Sequence, residues 1–444
     1  MKHWMALALG TLVLTSTAQA DDLMSVYQRA LGSDPQIREA DANRLAAREA
    51  KPQAIAEVLP NITGFGQYSK VDRRGTTLLG QNNVNSSTDT RDKLYSLTLR
   101  QTIFSWSDWV GLHRANKQVA QAEADYQAAQ QDLVSRVAER YFDVLAAQDT
   151  VEAQSAALQA IARQLEQAEK RFEVGLIAIT DVQEAKAARD NSAAGVIAAK
   201  RALASAEERM REVIGDKPEN LAKPGAALPL QAPEPADEAR WVETSMNQNL
   251  ALVSSRLAAD ISRDNVRAAF GSHLPNLDLV AQRGKFNSNG TPNVNTDSTT
   301  TQYQLQLNVP VFAGGGTQSK VRQSEFQWQA AKERLVRVSR QTERAARDAY
   351  LGVISEISRV NALHQALESS QTALKATEAG YEVGTRTAVD VLDARKNLVQ
   401  AQTNYSRSRY DYILNVIALH SAAGDLGRQN LQEINGWLEA SPPK

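Results

Sequence analysis

The chain has 444 residues, with 50 Lys and Arg against 51 Asp and Glu, and it contains no cysteine. A near-neutral balance removes the electrostatic footprint that nucleic acid would require, and a chain without thiols builds no disulfide framework, thiolate metal site, thiol nucleophile or iron–sulfur cluster. The five histidines, His113, His273, His364 and His420 among them, are scattered, and no His-Glu-x-x-His, Walker or nucleophile-elbow motif occurs, so no catalysis, cofactor or metal site is expected.

Residues 1–20 read as a secretory signal peptide. Lys2 and His3 precede an apolar run over 5–14, and Ala18-Gln19-Ala20 forms a small-x-small cleavage site before Asp21 and Asp22. With no cysteine at that point, no lipid anchor is expected. Further on, no stretch approaches about eighteen consecutive apolar residues, so a membrane location has to rest on β-strands.

Residues 22–57, rich in Ala, Arg, Glu and Gln with apolar residues three to four apart, predict a helix that Leu59-Pro60-Asn61 ends. Two segments of strand character follow, 61–70 and 94–104, separated by a Gly-, Asn-, Ser- and Thr-rich stretch, 71–93, that fits a long external loop. Residues 105–172 then contain 68 positions with Gly111 as the one glycine and no proline. A continuous helix there would run roughly 100 Å, more than an ordinary globular domain uses. It turns at Val174-Gly175 and returns as a shorter helix, 180–214, before a Pro-rich span, 217–235.

The whole order then repeats. Phe172-Glu173-Val174-Gly175 matches Tyr381-Glu382-Val383-Gly384 at an offset of 209, as do Asp181 with Asp390 and Gly215 with Gly424, and Leu59-Pro60-Asn61 recurs as Leu274-Pro275-Asn276. The second copy predicts a helix over 236–272, strands over 276–286 and 302–312 around a polar loop, 287–301, a long helix over 316–381 and a returning helix over 387–423. The organisation expected is a signal peptide, 1–20, a first repeat, 21–215, a linker, 216–235, a second repeat, 236–424, and a C-terminal segment, 425–444, each half forming one structural unit.

Two of the four strand segments alternate clearly. Tyr95, Leu97, Leu99 and Ile103 oppose Ser96, Thr98, Arg100 and Thr102, and Tyr303, Leu305, Leu307, Val309 and Val311 oppose Gln302, Gln304, Gln306 and Asn308. Alternation alone fits a half-buried soluble sheet; segment length and the polar loops fit transmembrane strands with polar side chains lining a pore. Transmembrane barrels start at about eight strands, so on the membrane reading several copies share one wall. A periplasmic coiled-coil scaffold or adaptor is the alternative, and it leaves the alternating segments without a role.

The order of export signal, short helix, Leu-Pro-Asn, strand pair, long helix and Val-Gly turn, all duplicated, resembles the TolC family of outer-membrane efflux channels. The most specific segments run from Arg171 through Leu176-Ile177-Ala178-Ile179-Thr180 to Gln183, and from Ala379 through Gly384-Thr385-Arg386-Thr387 to Ala394. The resemblance implies a mainly α protein with a membrane β-barrel: a homotrimer in which each protomer gives four strands to a twelve-stranded outer-membrane barrel, continued by a long periplasmic α-helical tunnel. It implies an exit duct for efflux or type I secretion, held in outer-membrane lipid. Its partners would be a periplasmic adaptor, or membrane fusion, protein and an inner-membrane pump such as an RND or ABC transporter.

Asp390 and Asp393 stand at i and i+3 of a helix start, so three copies would place six carboxylates round a narrow aperture, a ring that favours cations and admits block by multivalent ones. First-turn acids also serve simply to complement the helix dipole, with Thr387 as N-cap. The resemblance implies a latch in which Asp181, beside Thr180, pairs with Tyr381 and Arg386, and Gln164 links to Glu378. It assigns adaptor docking to the turns Val174-Gly175-Leu176 and Val383-Gly384-Thr385, where glycine also serves as a helix terminator.

Overall fold

The computed structural model describes residues 21–79, 82–225, 228–291 and 294–439. The expected signal peptide, 1–20, and the end of the C-terminal segment, 440–444, lie outside the described residues.

In place of one helix over 22–57, the chain forms α1 (Leu23–Ser33), α2 (Pro35–Arg48) and α3 (Ala50–Ala56). The first break lies at Asp34, whose backbone is extended and whose carboxylate accepts from the Gln36 N–H at 2.7 Å, while Pro35, lacking an N–H, opens the next helix. After β1 (Asn61–Leu79) and β2 (Asn82–Phe104) come the long α4 (Trp106–Glu173) and the returning α5 (Ile179–Ile214). A short β3 (Lys223–Pro224) lies in the linker. The second copy gives α6 (Glu238–Gln248), α7 (Leu250–Gly271), β4 (Asn276–Thr291), β5 (Val294–Asn308), α8 (Gly316–Glu382) and α9 (Ala388–Ala423), with α10 (Arg428–Asn435) and β6 (Leu438–Glu439) closing the chain. The helix expected over 236–272 also breaks, at Asn249, whose side-chain amide donates to the Ala422 carbonyl at 3.1 Å.

The duplicated halves are not separate bodies. One compact unit is built from residues 40–126 and 250–340 and the other from the remaining segments, so each repeat contributes to both. The first unit carries a four-stranded antiparallel sheet in the order β1-β2-β4-β5. Its hairpins are longer than the sequence suggests, because the described residues of the stretches read as loops, 71–93 and 287–301, continue the ladders, with Val71 opposite Thr90 and Asn287 opposite Asp297. Their Thr, Ser, Asn and Gly content hides the strand signal, and cross-strand polar links such as Ser288 to Asp92 at 2.6 Å hold them instead. The last strand stops at Asn308, so Val309 to Phe312 leave the sheet.

Register places most of the apolar residues on one face, with Phe65, Leu94, Val280 and Phe286 on the other. Ile62 is opposite Leu99, Leu99 opposite Ala281 and Ala281 opposite Tyr303, while Leu279 faces Leu305 and Leu277 faces Leu307. Ile62, Tyr95, Leu97, Tyr303, Leu305 and Leu307 are all exposed. The opposite face carries Thr63, Ser96, Thr98, Gln282, Gln302, Gln304 and Gln306, and on it the buried Asp278 takes an ion pair from Arg100 at 2.7 Å. Among the described residues β1 and β5 have no outer strand partner, and no helix is long and apolar enough to cross a membrane.

The second unit centres on α4, α5, α8 and α9. Tyr141 and Phe142 on α4 are fully buried, Phe142 stacks on Tyr410 with centroids 5.6 Å apart, and the Tyr141 hydroxyl donates to the Ala222 carbonyl at 2.8 Å. The Tyr410 hydroxyl donates to Asp149 at 2.6 Å, and Asp149 also pairs with Lys223 at 2.7 Å, so the linker is tied to the helices. Pairing of β3 with β6 joins that linker to the C-terminal segment.

Asp34, buried, is paired with Arg136 at 2.8 Å. Arg136→Ala leaves that carboxylate uncompensated and is expected to cost about 3–5 kcal/mol per protomer. A lowered thermal midpoint followed by circular dichroism, largely recovered when Asp34→Asn is added, is the expected result.

Candidate functional site

Both hairpin turns of the second unit close in the same way. At the end of α4 the Gly175 N–H donates to the Phe172 carbonyl and the Leu176 N–H to the Arg171 carbonyl, each at 2.9 Å. At the end of α8 the Gly384 N–H donates to Tyr381 at 3.1 Å and the Thr385 N–H to Gly380 at 2.8 Å. These paired bonds are the Schellman arrangement, which needs a left-handed residue just past the helix, and Gly175 (φ 74°) and Gly384 (φ 78°) supply it. The turns leave Val174, Leu176 and Val383 70%, 73% and 76% exposed, an apolar display at the ends of otherwise polar hairpins.

The following helices begin differently. Thr387 caps α9: its hydroxyl accepts from the Asp390 N–H at 3.2 Å, and the Asp390 carboxylate accepts from the Thr387 N–H at 2.8 Å. The Thr387 hydroxyl also donates to this carboxylate, at 3.0 Å, and the main-chain bond foremost, then the hydroxyl bond and the nearby Arg386 charge, hold the Asp390 carboxyl below its ordinary range. Ala178 occupies the corresponding place before α5 and offers no side-chain cap. The Asp181 carboxylate is therefore outside any capping box, and among the described residues it makes no side-chain hydrogen bond within the protomer. Asp393 is exposed beyond the box.

The implied latch is not closed within one protomer. Tyr381 is met by neither Asp181 nor Arg386; its ring lies 5.4 Å from the Arg171 guanidinium carbon. Glu378 pairs with Arg395 on α9, and both polar ends of the Gln164 side chain are buried without a hydrogen-bond partner. Thr180 is exposed in the first turn of α5. Gly380 has a packing role, since a Cβ there would lie 2.8 Å from the Arg386 Cγ. Arg171, Gly380 and Arg395 escape a reading by motif: an Arg in a last helical turn reads as dipole complement, and the meeting of Glu378 with Arg395 depends on the geometry of the intervening turn.

A sheet with one exposed apolar face and two free edges, joined in one chain to two long helical hairpins, defines a class of protein that passes through a membrane on strands and extends from it on helices. Residues 26–216 and 241–425 match the outer membrane efflux protein family, and the chain belongs to it. It is 36% identical to the outer membrane protein TolC of Vibrio cholerae serotype O1, over 98% of this chain and 97% of that one. It is 28% identical to the alkaline protease secretion protein AprF of Pseudomonas aeruginosa, over 95% of this chain and 88% of the relative. Among solved structures, the outer membrane protein VceC of Vibrio cholerae superposes with a TM-score of 0.76 at 20% identity, over 90% of this chain and 96% of that one, which establishes the fold. The protein is an outer-membrane exit duct.

Thr387→Ala removes the hydroxyl half of the capping box, so the Asp390 carboxyl is expected to titrate nearer its ordinary value. Because its pKa is lowered in the folded chain, the stabilisation of the α9 start that it provides is present above the ordinary carboxylate value and is lost as pH falls through the lowered one. Carboxyl-resolved NMR titration of wild type and variant is the measurement; equal titration curves would discount the box.

Proposed function

We propose that three copies close a twelve-stranded barrel in the outer membrane and that the four Val-Gly hairpins of each neighbouring pair of protomers form its gate. The observation that carries the assembly is the sheet. Strand direction alternates through β1-β2-β4-β5, so β5 of one copy runs antiparallel to β1 of the next and the alternation continues unbroken round a ring. The apolar face then meets lipid and the glutamine-rich face lines a pore.

At the gate, Asp181, unbound within its own protomer, pairs with Tyr381 and Arg386 of a neighbouring protomer, with Thr180 beside it and Gln164 linking to Glu378. Asp390 and Asp393 form the selective ring, one oxygen of Asp390 being engaged by its own cap. The exposed Val174, Leu176, Val383 and Thr385 beside the two glycines take a periplasmic adaptor, which connects the duct to an inner-membrane pump. Kinship to AprF favours secretion of protein cargo as one use of the duct, and kinship to TolC favours efflux.

Single-channel recording in planar bilayers tests the gate. Wild type is expected to give a small cation-selective conductance that rises when Tyr381→Phe is combined with Arg386→Ser, while Asp390→Ala with Asp393→Ala reduces cation selectivity and abolishes block by multivalent cations. No channel from well-folded trimers would turn the reading towards a scaffold. Docking is tested separately: Gly175→Leu or Gly384→Leu is expected to lower efflux in cells without loss of heat-stable trimers, and normal efflux would contradict the docking role.

A further inference from the structure

The last turn of α8 is held on two sides by arginines. Arg395, whose side chain is only 20% exposed, reaches back from α9 to Glu378, and Arg171, at the end of α4, sets its guanidinium against the Tyr381 ring. Glu378 and Tyr381 stand at i and i+3, so both contacts bear on one stretch of helix. The two contacts differ in what they join. Arg395 to Glu378 runs within one hairpin, α8 to α9, whereas Arg171 to Tyr381 runs between the two hairpins. A partly desolvated ion pair is screened less than a surface one and resists bending of α8 away from α9. A cation over an aromatic face tolerates sliding and breaks easily.

We propose that Arg395 and Arg171 are positioning residues of the gate: Arg395 makes α8 and α9 move as one body, and Arg171 sets where that body rests against the α4 turn. The proposal deepens the reading of the turns as a gate and rests on it. Tyr381 then has two separable roles, its hydroxyl serving the latch and its ring serving Arg171. Gln164, half-buried seven residues before Arg171, keeps both polar atoms of its side chain without a hydrogen-bond partner. Gly380, which leaves room for the Arg386 stem, lies between Glu378 and Tyr381, so the two arginines hold the helix on either side of its least substituted point.

The test is single-channel recording from trimers that keep wild-type mobility and heat stability. Arg171→Met is expected to raise the open-to-closed ratio about fivefold, the factor that roughly 1 kcal/mol gives, with Arg171→Lys restoring part of the closed state. Tyr381→Leu should open the channel further than Tyr381→Phe, which keeps the ring, and the excess should vanish in an Arg171→Met background. Arg395→Ala should open the channel as well, and Arg395→Glu combined with Glu378→Arg should bring it back towards wild type. Wild-type conductance in Arg171→Met, equal effects of the two Tyr381 variants, or a charge swap that restores nothing would overturn the assignment. If Tyr381→Phe with Arg386→Ser opens the channel while the arginine variants do not, the positioning roles fail alone; if no variant alters a conducting wild type, the gate reading fails with them.

Discussion

Hydrocarbon offers no partner to a main-chain N–H or C=O, and this one constraint shapes the rest of the molecule. A four-stranded sheet with an exposed apolar face has two edges whose polar groups need partners in lipid, and among the described residues no further strand of the protomer pairs with them. Pairing with other copies is then obligatory, and antiparallel alternation makes β5 and β1 compatible edges. Symmetry carries the consequence onward, because closing the sheet into a ring multiplies every helical hairpin by the same operator and brings equivalent turns of different copies into one set.

Duplication supplies two similar hairpins, and small differences give them unlike work. The two turns share their hydrogen bonds and their left-handed glycines. They diverge three residues on, where Thr387 locks Asp390 into a capping box and Ala178 leaves Asp181 unclaimed. A carboxylate committed to its own helix start is a fixed charge suited to an aperture. One that is uncommitted is available to a neighbouring chain. The Thr387 hydroxyl, which Ala178 lacks, therefore distinguishes a structural acid from a candidate bonding acid.

Much of this architecture was legible in the sequence because its signals are long. A span of 68 residues with one glycine reads as helix with little competition, and the Val-Gly turns were located to the residue. Signals carried by single polar residues were lost: Asp34-Pro35 breaks the first helix, and Asn249 the helix of the second copy, through bonds of one side chain. The distal strands read as loops, since Thr, Ser and Asn have no apolar face to alternate, and their ladders are recognisable only once partner strands are aligned. The family resemblance drew attention to the two Val-Gly turns and the residues beside them. It did not disclose Arg395 or Arg171, because pairing across a hairpin and between hairpins is set by helix register that no local motif encodes.

Both the sheet edges and the gate are places where one protomer leaves polar groups without partners, and the kind of group decides what each place does. At the edges the unmet groups are main chain, many in a row, and satisfying them is cooperative, so the barrel closes once and stays closed. Towards the turns they are side chains: the Gln164 amide and the Arg395 Nε, buried without partners, and the uncapped Asp181 carboxylate. Each bond such groups form is worth only about 1–3 kcal/mol, and each can be exchanged for water, which the periplasm supplies and lipid does not. On the gate proposed above, a partner docked on the exposed valines and leucine of the turns would outcompete a few latch bonds without threatening the wall. On that proposal the same chain is rigid where it crosses the membrane and openable where it meets its partners.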